Sequence, residues 1–208
     1  CWTHEPAPMP WGGGFWSKWV EGYRFVSGFA PARAMLLLVA ALSWTISPYS
    51  SLMPVYAKDI HGGGPQTLGF LLAAAGAGAL SSTLYLAGRE TIRGLGRVIA
   101  LGAAGSGLAL ASFAYVSLLP LALGLMFVVG GGVILAAASV NTILQTIVPD
   151  GLRGRVAGFF ILAFLGMAPL GNLAAGALGN AVGVPAKFAV NGSIVTIGGL
   201  ACWRAEPW

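Results

Sequence analysis

Long runs of apolar residues alternate with short polar breaks along most of the chain, and charged residues stand almost only in the breaks. A run of about 20 apolar residues is the length of helix that crosses the ~30 Å hydrocarbon core of a membrane. The last run is the shortest and needs residues before 188 to complete a crossing. The pattern predicts six transmembrane helices, at residues 34–57, 68–87, 98–118, 120–148, 156–181 and 186–203.

The segments before and after this predicted bundle, which covers residues 34–204, have a different character. Residues 1–17 are rich in Pro, Gly and Trp and begin without Met, which indicates an irregular leader with a truncated start. In residues 18–33 apolar side chains recur at three- and four-residue steps and charged ones take another face, the pattern of an amphipathic helix on a membrane surface. Residues 205–208 are expected to form a short cytoplasmic tail.

Composition and charge agree with a membrane location. The chain is 57% hydrophobic and 8% charged with a mean hydropathy of +0.81, which excludes an ordinary soluble domain. If residues before 34 are cytoplasmic, nine of the 11 Lys and Arg residues fall inside and only Lys58 and Lys187 fall outside. Because cytoplasmic loops gather basic residues, we expect both chain ends in the cytoplasm. The net charge of +5 is then explained by the lipid bilayer as partner, not by nucleic acid.

The sequence offers little for chemical catalysis. Neither cysteine and neither histidine has a partner at the spacing of a disulfide framework or a metal site. The predicted spans also contain no Asp, Glu or His, whereas an intramembrane enzyme would need a nucleophile, base or metal at depth. We therefore expect no metal, no cofactor and no enzymatic activity.

One short segment concentrates charge, with Asp150, Arg153 and Arg155 at the start of the fifth predicted span. Asp150 suits this place, because a carboxylate can cap free backbone N–H groups and meets the positive end of the helix dipole. The two arginines oppose that dipole, so we expect an anionic group outside their own helix to hold them. Lipid phosphates are one alternative, and a carboxylate or carbonyl groups of neighbouring helices are the other.

The same segment carries a family resemblance. Asn-Thr-Ile-Leu-Gln at 141–145, followed by Val-Pro-Asp-Gly-Leu-Arg-Gly-Arg-Val at 148–156, resembles the major facilitator superfamily, in the branch of bacterial multidrug and siderophore exporters related to the enterobactin exporter. Residues 21–25, 52–59 and 166–176 are similar to that branch's segments around the seventh helix and in the eleventh. The resemblance implies an all-α membrane protein, the carboxy-terminal six-helix half of a twelve-helix fold built from two inverted three-helix repeats.

The resemblance also implies a function. It points to export of a small amphipathic compound, a drug or a siderophore, across the bacterial inner membrane by alternating access. The partners would be that small molecule and the amino-terminal half of the same transporter. Because no span here carries a carboxylate, proton coupling would depend on that half. A stand-alone six-span interaction protein and a half-size transporter working as a dimer are the alternatives.

Site residues follow from the same resemblance. The first and fourth spans correspond to helices that line the family's central cavity, and each carries a stripe of polar residues that we expect to contact substrate. The stripe on the first span is Thr45, Tyr49, Met53 and Tyr56, and that on the fourth is Asn141 and Gln145. The alternative for the two amides is hydrogen bonding to neighbouring helices.

A cytoplasmic gate is implied at two basic loops, although the first departs from the family's usual residue order: Arg89, Glu90, Arg93 and Arg97, then Asp150, Arg153, Gly154 and Arg155. Small residues let helix backbones approach closely, so five glycines are expected at helix contacts: Gly76, Gly78, Gly166, Gly171 and Gly176. The second and fifth spans, which carry these glycines, are expected to move against the other half of the transporter.

Overall fold

The computed structural model describes residues 15–59, 64–89 and 94–182, together with 193, 195 and 196. Six helices occupy these residues: α1 Phe15–Gly28, α2 Ala30–Asp59, α3 Pro65–Ala87, α4 Leu95–Phe113, α5 Leu119–Ile147 and α6 Asp150–Val182. The last predicted span, at 186–203, lies outside the described residues except at 193, 195 and 196.

Four of these helices are long and apolar enough to cross a membrane, namely α3, α4, α5 and the described part of α6. The first part of α2 qualifies only when it is counted together with α1, from which it is bent by 102°. An all-helical fold, with four helices fit to cross a membrane, is therefore confirmed over the described residues, whereas the number of six spans remains a prediction.

The bend separates α1 from the bundle. The amphipathic pattern predicted one helix over residues 18–33, but α1 ends at Gly28 and α2 begins at Ala30. Pro31 stands in the first turn of α2, a position where its missing N–H costs nothing. The angle of 102° leaves α1 crosswise to the start of α2, which is the orientation expected of a helix at a membrane surface.

Two helices have bounds that differ clearly from the predicted spans. α6 begins at Asp150 instead of 156, because the charged segment is helical and carries the helix beyond its apolar run. Its 33 residues make a helix of about 50 Å, longer than the hydrocarbon core. α4 ends at Phe113 instead of 118, and the amide of Val116 makes a turn hydrogen bond to the Phe113 carbonyl.

The helices pack in two groups. α3 and α4 both pack along α5, while α2 packs along α6, and α1 touches α6 and the start of α2. Two buried clusters fill the interior. One joins the far end of α2 to α3, α4 and α5 around Met53, Leu71, Phe113 and Met126. The other joins α2, α4, α5 and α6 around Leu42, Ile99, Val140, Leu144 and Val156.

Candidate functional site

The predicted amide pair lies near the end of α5. The side-chain nitrogen of Gln145 donates a hydrogen bond to Oδ1 of Asn141 at 3.1 Å, one helical turn away. Val133 is the middle residue of α5, so Asn141 stands about 12 Å and Gln145 about 18 Å along the axis from the centre. Both amides therefore lie toward the α6 end of the helix, away from its centre.

Beside this pair is a shallow groove between the last turns of α5 and the first turns of α6. Asn141, Gln145 and Arg153 supply its polar part, and Val156, Ala157 and Phe160 supply an apolar wall. Val156 is buried, whereas the guanidinium-bearing side chain of Arg153 is 48% exposed. The lining side chains fill this depression almost completely, so hydrogen-bond donors and apolar groups lie side by side there without an open cavity.

The two arginines of the charged segment have different partners. Arg155 Nη1 donates to Glu21 Oε2 on α1 at 2.6 Å. The expected carboxylate from another helix is therefore present for Arg155, although that helix is α1 and not a predicted span. Arg153 Nη2 lies 2.9 Å from Asp150 Oδ1, one turn earlier in its own helix. This pair was not predicted, and the i,i+3 spacing explains it by bringing the two side chains together on one face. An anionic partner outside the helix stays a prediction for Arg153.

Glu21 and Arg155 belong to a larger contact between α1 and α6, which we call the α1 clasp. Gly22 is buried where the helices cross, and a Cβ there would lie 2.9 Å from Cε2 of Phe159 and 3.3 Å from Cβ of Arg155. The ring of Trp19 meets that of Phe159 at a centroid distance of 5.0 Å. The α1 clasp therefore consists of an aromatic contact, the close packing of Gly22 against side chains of α6, and one ion pair.

The stripe predicted along α2 is only partly described. Side chains of Thr45, Tyr49 and Tyr56 lie outside the described part of the structure. Met53 is 0% exposed and belongs to the cluster between α3, α4 and α5. The prediction that Met53 lines a substrate surface is therefore wrong, because its thioether fills the core of the bundle.

The basic loop between α3 and α4 is described at its two ends. Arg89 Nη1 donates to the hydroxyl of Tyr85 at 3.0 Å, and the guanidinium carbon lies 5.7 Å from the centre of the Tyr85 ring. Arg97 is exposed in the first turn of α4. Glu90 and Arg93 lie outside the described residues. The gate role of this loop stays a prediction.

Comparison with known proteins places the chain in a family. A family model described as transmembrane secretion effector, of the major facilitator type, matches residues 11–206. The chain belongs to the major facilitator superfamily. It is also similar to the multidrug efflux pump Tap of Mycolicibacterium fortuitum, with 33% identity over 177 residues. That match covers 81% of this chain and 41% of the pump, so the chain spans well under two thirds of its relative's length.

The predicted packing glycines of this major facilitator chain fall into two groups. Gly78 is buried against α5, where a Cβ would lie 2.8 Å from the carbonyl carbon of Phe127. Gly171 is buried against α2, where a Cβ would lie 2.5 Å from the Trp44 carbonyl oxygen.

The other glycines of this set make no such contact in the described part of the chain. A Cβ on Gly76 would meet nothing within 4 Å, and one on Gly166 would meet only Leu162 of its own helix. The expected helix contact is therefore absent at both, because both face outward. Gly154 is equally open. Gly176 lies in a part of α6 whose surroundings are not described.

Sequence reasoning missed several residues of the site. Gly22 and Phe159 hold α1 on α6, and Phe160 supplies the wall of the groove. The three-residue spacing of Trp19 and Gly22 places them on one face of a helix. That spacing does not predict which other helix the face contacts. Gly130 and Gly132 on α5 were also missed as individual contacts, since a run of three glycines does not say which member faces a neighbour.

Proposed function

We propose that the chain is half of a major facilitator exporter that moves a small amphipathic compound, a drug or siderophore-like molecule, out across a bacterial inner membrane. The similarity to a multidrug efflux pump carries this proposal. The efflux activity in that pump's name belongs to a protein of which this chain matches 41%. We therefore assign transport to the complete protein, with the amino-terminal half as the partner of this chain.

Exposed apolar faces support such a partner. Only 17% of the apolar stretch of α3 and 11% of that of α6 is buried, against 50% for α4. Large apolar side chains such as Leu80 and Leu84 on α3, and Leu165 and Leu173 on α6, are exposed. Faces of this kind require lipid or another protein surface. In the proposal α3 and α6 contact the amino-terminal half, and substrate passes between the halves.

The pairing of helices supports an inverted repeat. If α2 to α4 form one repeat and α5 opens the next, then α2 packing on α6 and α3 packing on α5 are equivalent contacts exchanged between repeats. In each, the first helix of one repeat meets the second helix of the other. A two-fold axis in the membrane plane would produce this exchange.

The distribution of basic residues supports an orientation with both ends and the α5–α6 turn in the cytoplasm. Two glycines allow a matched test, because a Cβ on either Gly64 or Gly154 would meet nothing within 4 Å. In a cysteine-free full-length protein, Gly64→Cys should react with an impermeant maleimide added to intact cells, and Gly154→Cys should react only in inside-out vesicles. Labelling of Gly154→Cys from outside would overturn the orientation.

Transport is tested in bacterial cells that lack their own multidrug exporters. Cells with the full-length protein, preloaded with ethidium, should lose the dye several-fold faster than cells with empty vector, and a protonophore should remove the difference. Proton coupling should survive neutralisation of Glu21 and Asp150 and should be lost when carboxylates of the amino-terminal half are neutralised. Export by residues 1–208 expressed alone as a dimer would instead support the half-size transporter.

A further inference from the structure

We propose that α1 is a docking surface for anionic phospholipid, with its exposed apolar side against the acyl chains and with Arg24 and Arg33 at the lipid phosphates. The two arginines stand on either side of the bend between α1 and α2. The amphipathic pattern alone predicts a surface helix, and the contacts of α1 add which of its sides meets lipid and which head group it prefers. This lipid contact does not depend on whether the protein exports anything.

α1 crosses α6 at the depth of a membrane–water boundary. Its buried Gly22 faces Arg155 and Phe159, which stand about 8 Å and 14 Å along α6 from Asp150. A ~30 Å hydrocarbon core centred on the about 50 Å of α6 would begin about 10 Å from either end of the helix. The crossing therefore falls where head groups meet acyl chains, and the bend of 102° from α2 lets α1 lie along that layer.

α1 packs on the protein with one side and exposes the other. Phe25 and Val26 pack against the buried cluster between α2, α4, α5 and α6. Trp19, Val20 and Tyr23 are instead 43%, 51% and 60% exposed. Trp19 and Tyr23 are one turn apart with Val20 beside them, so the three side chains form one continuous stripe. Trp and Tyr concentrate at head-group level in membrane proteins, because an apolar ring meets lipid there while its polar atom meets water.

The charges at this end of the bundle favour an anionic head group. The two described ion pairs here already use the carboxylates of α1 and of the first turn of α6. Arg24 and Arg33 are exposed, and within the described residues neither has an ion pair or a side-chain hydrogen bond. Arg24 follows Val20 by one turn, so its charge stands at the edge of the apolar stripe. A guanidinium there presents a forked pair of N–H groups to a phosphate and attracts an anionic leaflet.

Lipid contact is measured by fluorescence in the cysteine-free full-length protein, reconstituted in nanodiscs. Bimane attached at Tyr23→Cys should be quenched by phospholipid with brominated acyl chains, because the label replaces a side chain of the stripe. Gly28→Cys is the matched control and should be quenched weakly or not at all. Gly28 is exposed, a Cβ there would meet nothing within 4 Å, and it lies about 140° around the helix from Tyr23.

Head-group preference is measured with the same label by comparing brominated phosphatidylglycerol with brominated phosphatidylcholine. At low salt, phosphatidylglycerol should bind about fivefold more strongly beside Tyr23→Cys, and about 0.5 M salt should remove most of the difference. Arg24→Gln combined with Arg33→Gln should make the two lipids nearly equal while quenching itself persists, because the apolar stripe remains. Arg97→Gln, an exposed arginine at the start of α4, is the control and should leave the preference unchanged.

Quenching at Tyr23→Cys no stronger than at Gly28→Cys would overturn the lipid contact, and would indicate that the amino-terminal half covers this side of α1. Equal quenching by the two lipids in the protein with both arginines would overturn the anionic head group. An equal loss of preference in Arg97→Gln would overturn the role of Arg24 and Arg33 in favour of general surface charge. Absence of dye export would contradict the proposed function and leave these results standing.

Discussion

The contact of α3 with α5 and the contact of α2 with α6 join helices in different ways. At the first, backbone meets backbone: a Cβ on Gly130 would lie 2.7 Å from the carbonyl carbon of Ala75, and Gly78 meets Phe127 in the same manner. At the second, buried side chains such as Leu42 on α2 and Val156 on α6 belong to one cluster. Among the described glycines, only Gly171 brings the backbones of α2 and α6 close together, at Trp44.

The difference predicts which part of the bundle can adjust. Glycine contacts between backbones leave no rotamer that could change, so α3 and α5 cannot shift without losing the contact. A contact made of side chains can shift by small sliding movements, as packed helices do in shear motions. We infer that α3, α4 and α5 form a fixed group and that α2 and α6 form the adjustable pair of this half.

The largest expected effect is at Gly130. A Cβ in Gly130→Ala would overlap the Ala75 carbonyl, and both sides of the contact are backbone. We expect a loss of about 3 kcal/mol in the free energy of unfolding of the full-length protein, measured by SDS titration in mixed micelles.

Gly124→Ala is the matched control, on the same helix with nothing within 4 Å of the added Cβ. This variant should be neutral or slightly stabilising, because alanine favours helix over glycine. A similar loss in both variants would mean that glycine flexibility, and not the α3–α5 contact, sets the stability.

Gly171 gives the second effect. Its added Cβ would lie 2.5 Å from the Trp44 carbonyl oxygen, so Gly171→Ala also forces backbones apart. Because the described α2–α6 contact also includes buried side chains that can repack, we expect a smaller loss of about 1 to 2 kcal/mol in the same titration. Gly158→Ala, open on the same helix, is the control. A loss as large as that of Gly130→Ala would remove the distinction between the two contacts.

Much of this comparison could not be read from the sequence. The apolar runs predicted the ends of α3 and α5 to within a few residues. A helix that crosses lipid must be long and apolar, and both properties can be seen directly in the sequence. Glycine content indicated close packing, but Gly76 and Gly78 are equivalent in composition, and only the rotation of α3 on α5 decides that Gly78 is the one in contact. Met53 was assigned to the wrong surface for the same reason.

A similar limit applies to charge. The sequence correctly required a partner for Arg155 but could not identify Glu21, which is distant along the chain. Asp150 was predicted only to cap the start of its helix. Its three-residue spacing from Arg153 also allows an ion pair, and the structure contains that pair. Local spacing therefore permits several pairings, and tertiary contacts choose among them.

A smaller effect is expected at two buried serines. The Ser43 hydroxyl on α2 donates to the Phe164 carbonyl on α6, whereas the Ser106 hydroxyl donates to Ala103 of its own helix at 2.9 Å. Interhelical hydrogen bonds in membranes contribute on average about 0.6 kcal/mol. Ser43→Ala should cost about that much in the SDS titration and Ser106→Ala less. An equal cost for both would show that the Ser43 bond does not join α2 to α6 energetically.

The smallest effect concerns the α1 clasp, which attaches a third helix to the adjustable pair. Glu21 is 62% exposed and Arg155 is 28% exposed, so water screens their ion pair, and we expect about 0.5 kcal/mol from it at low salt. Glu21→Gln should therefore raise hydrogen exchange of α1 amides about twofold in the full-length protein, and 0.5 M salt should give a similar increase without the substitution. Asp150→Asn, which breaks a pair inside α6, is the control and should leave α1 exchange unchanged. A tenfold increase in Glu21→Gln would mean that the ion pair holds α1 in place, and that the packing of Gly22 and Trp19 on Phe159 contributes little.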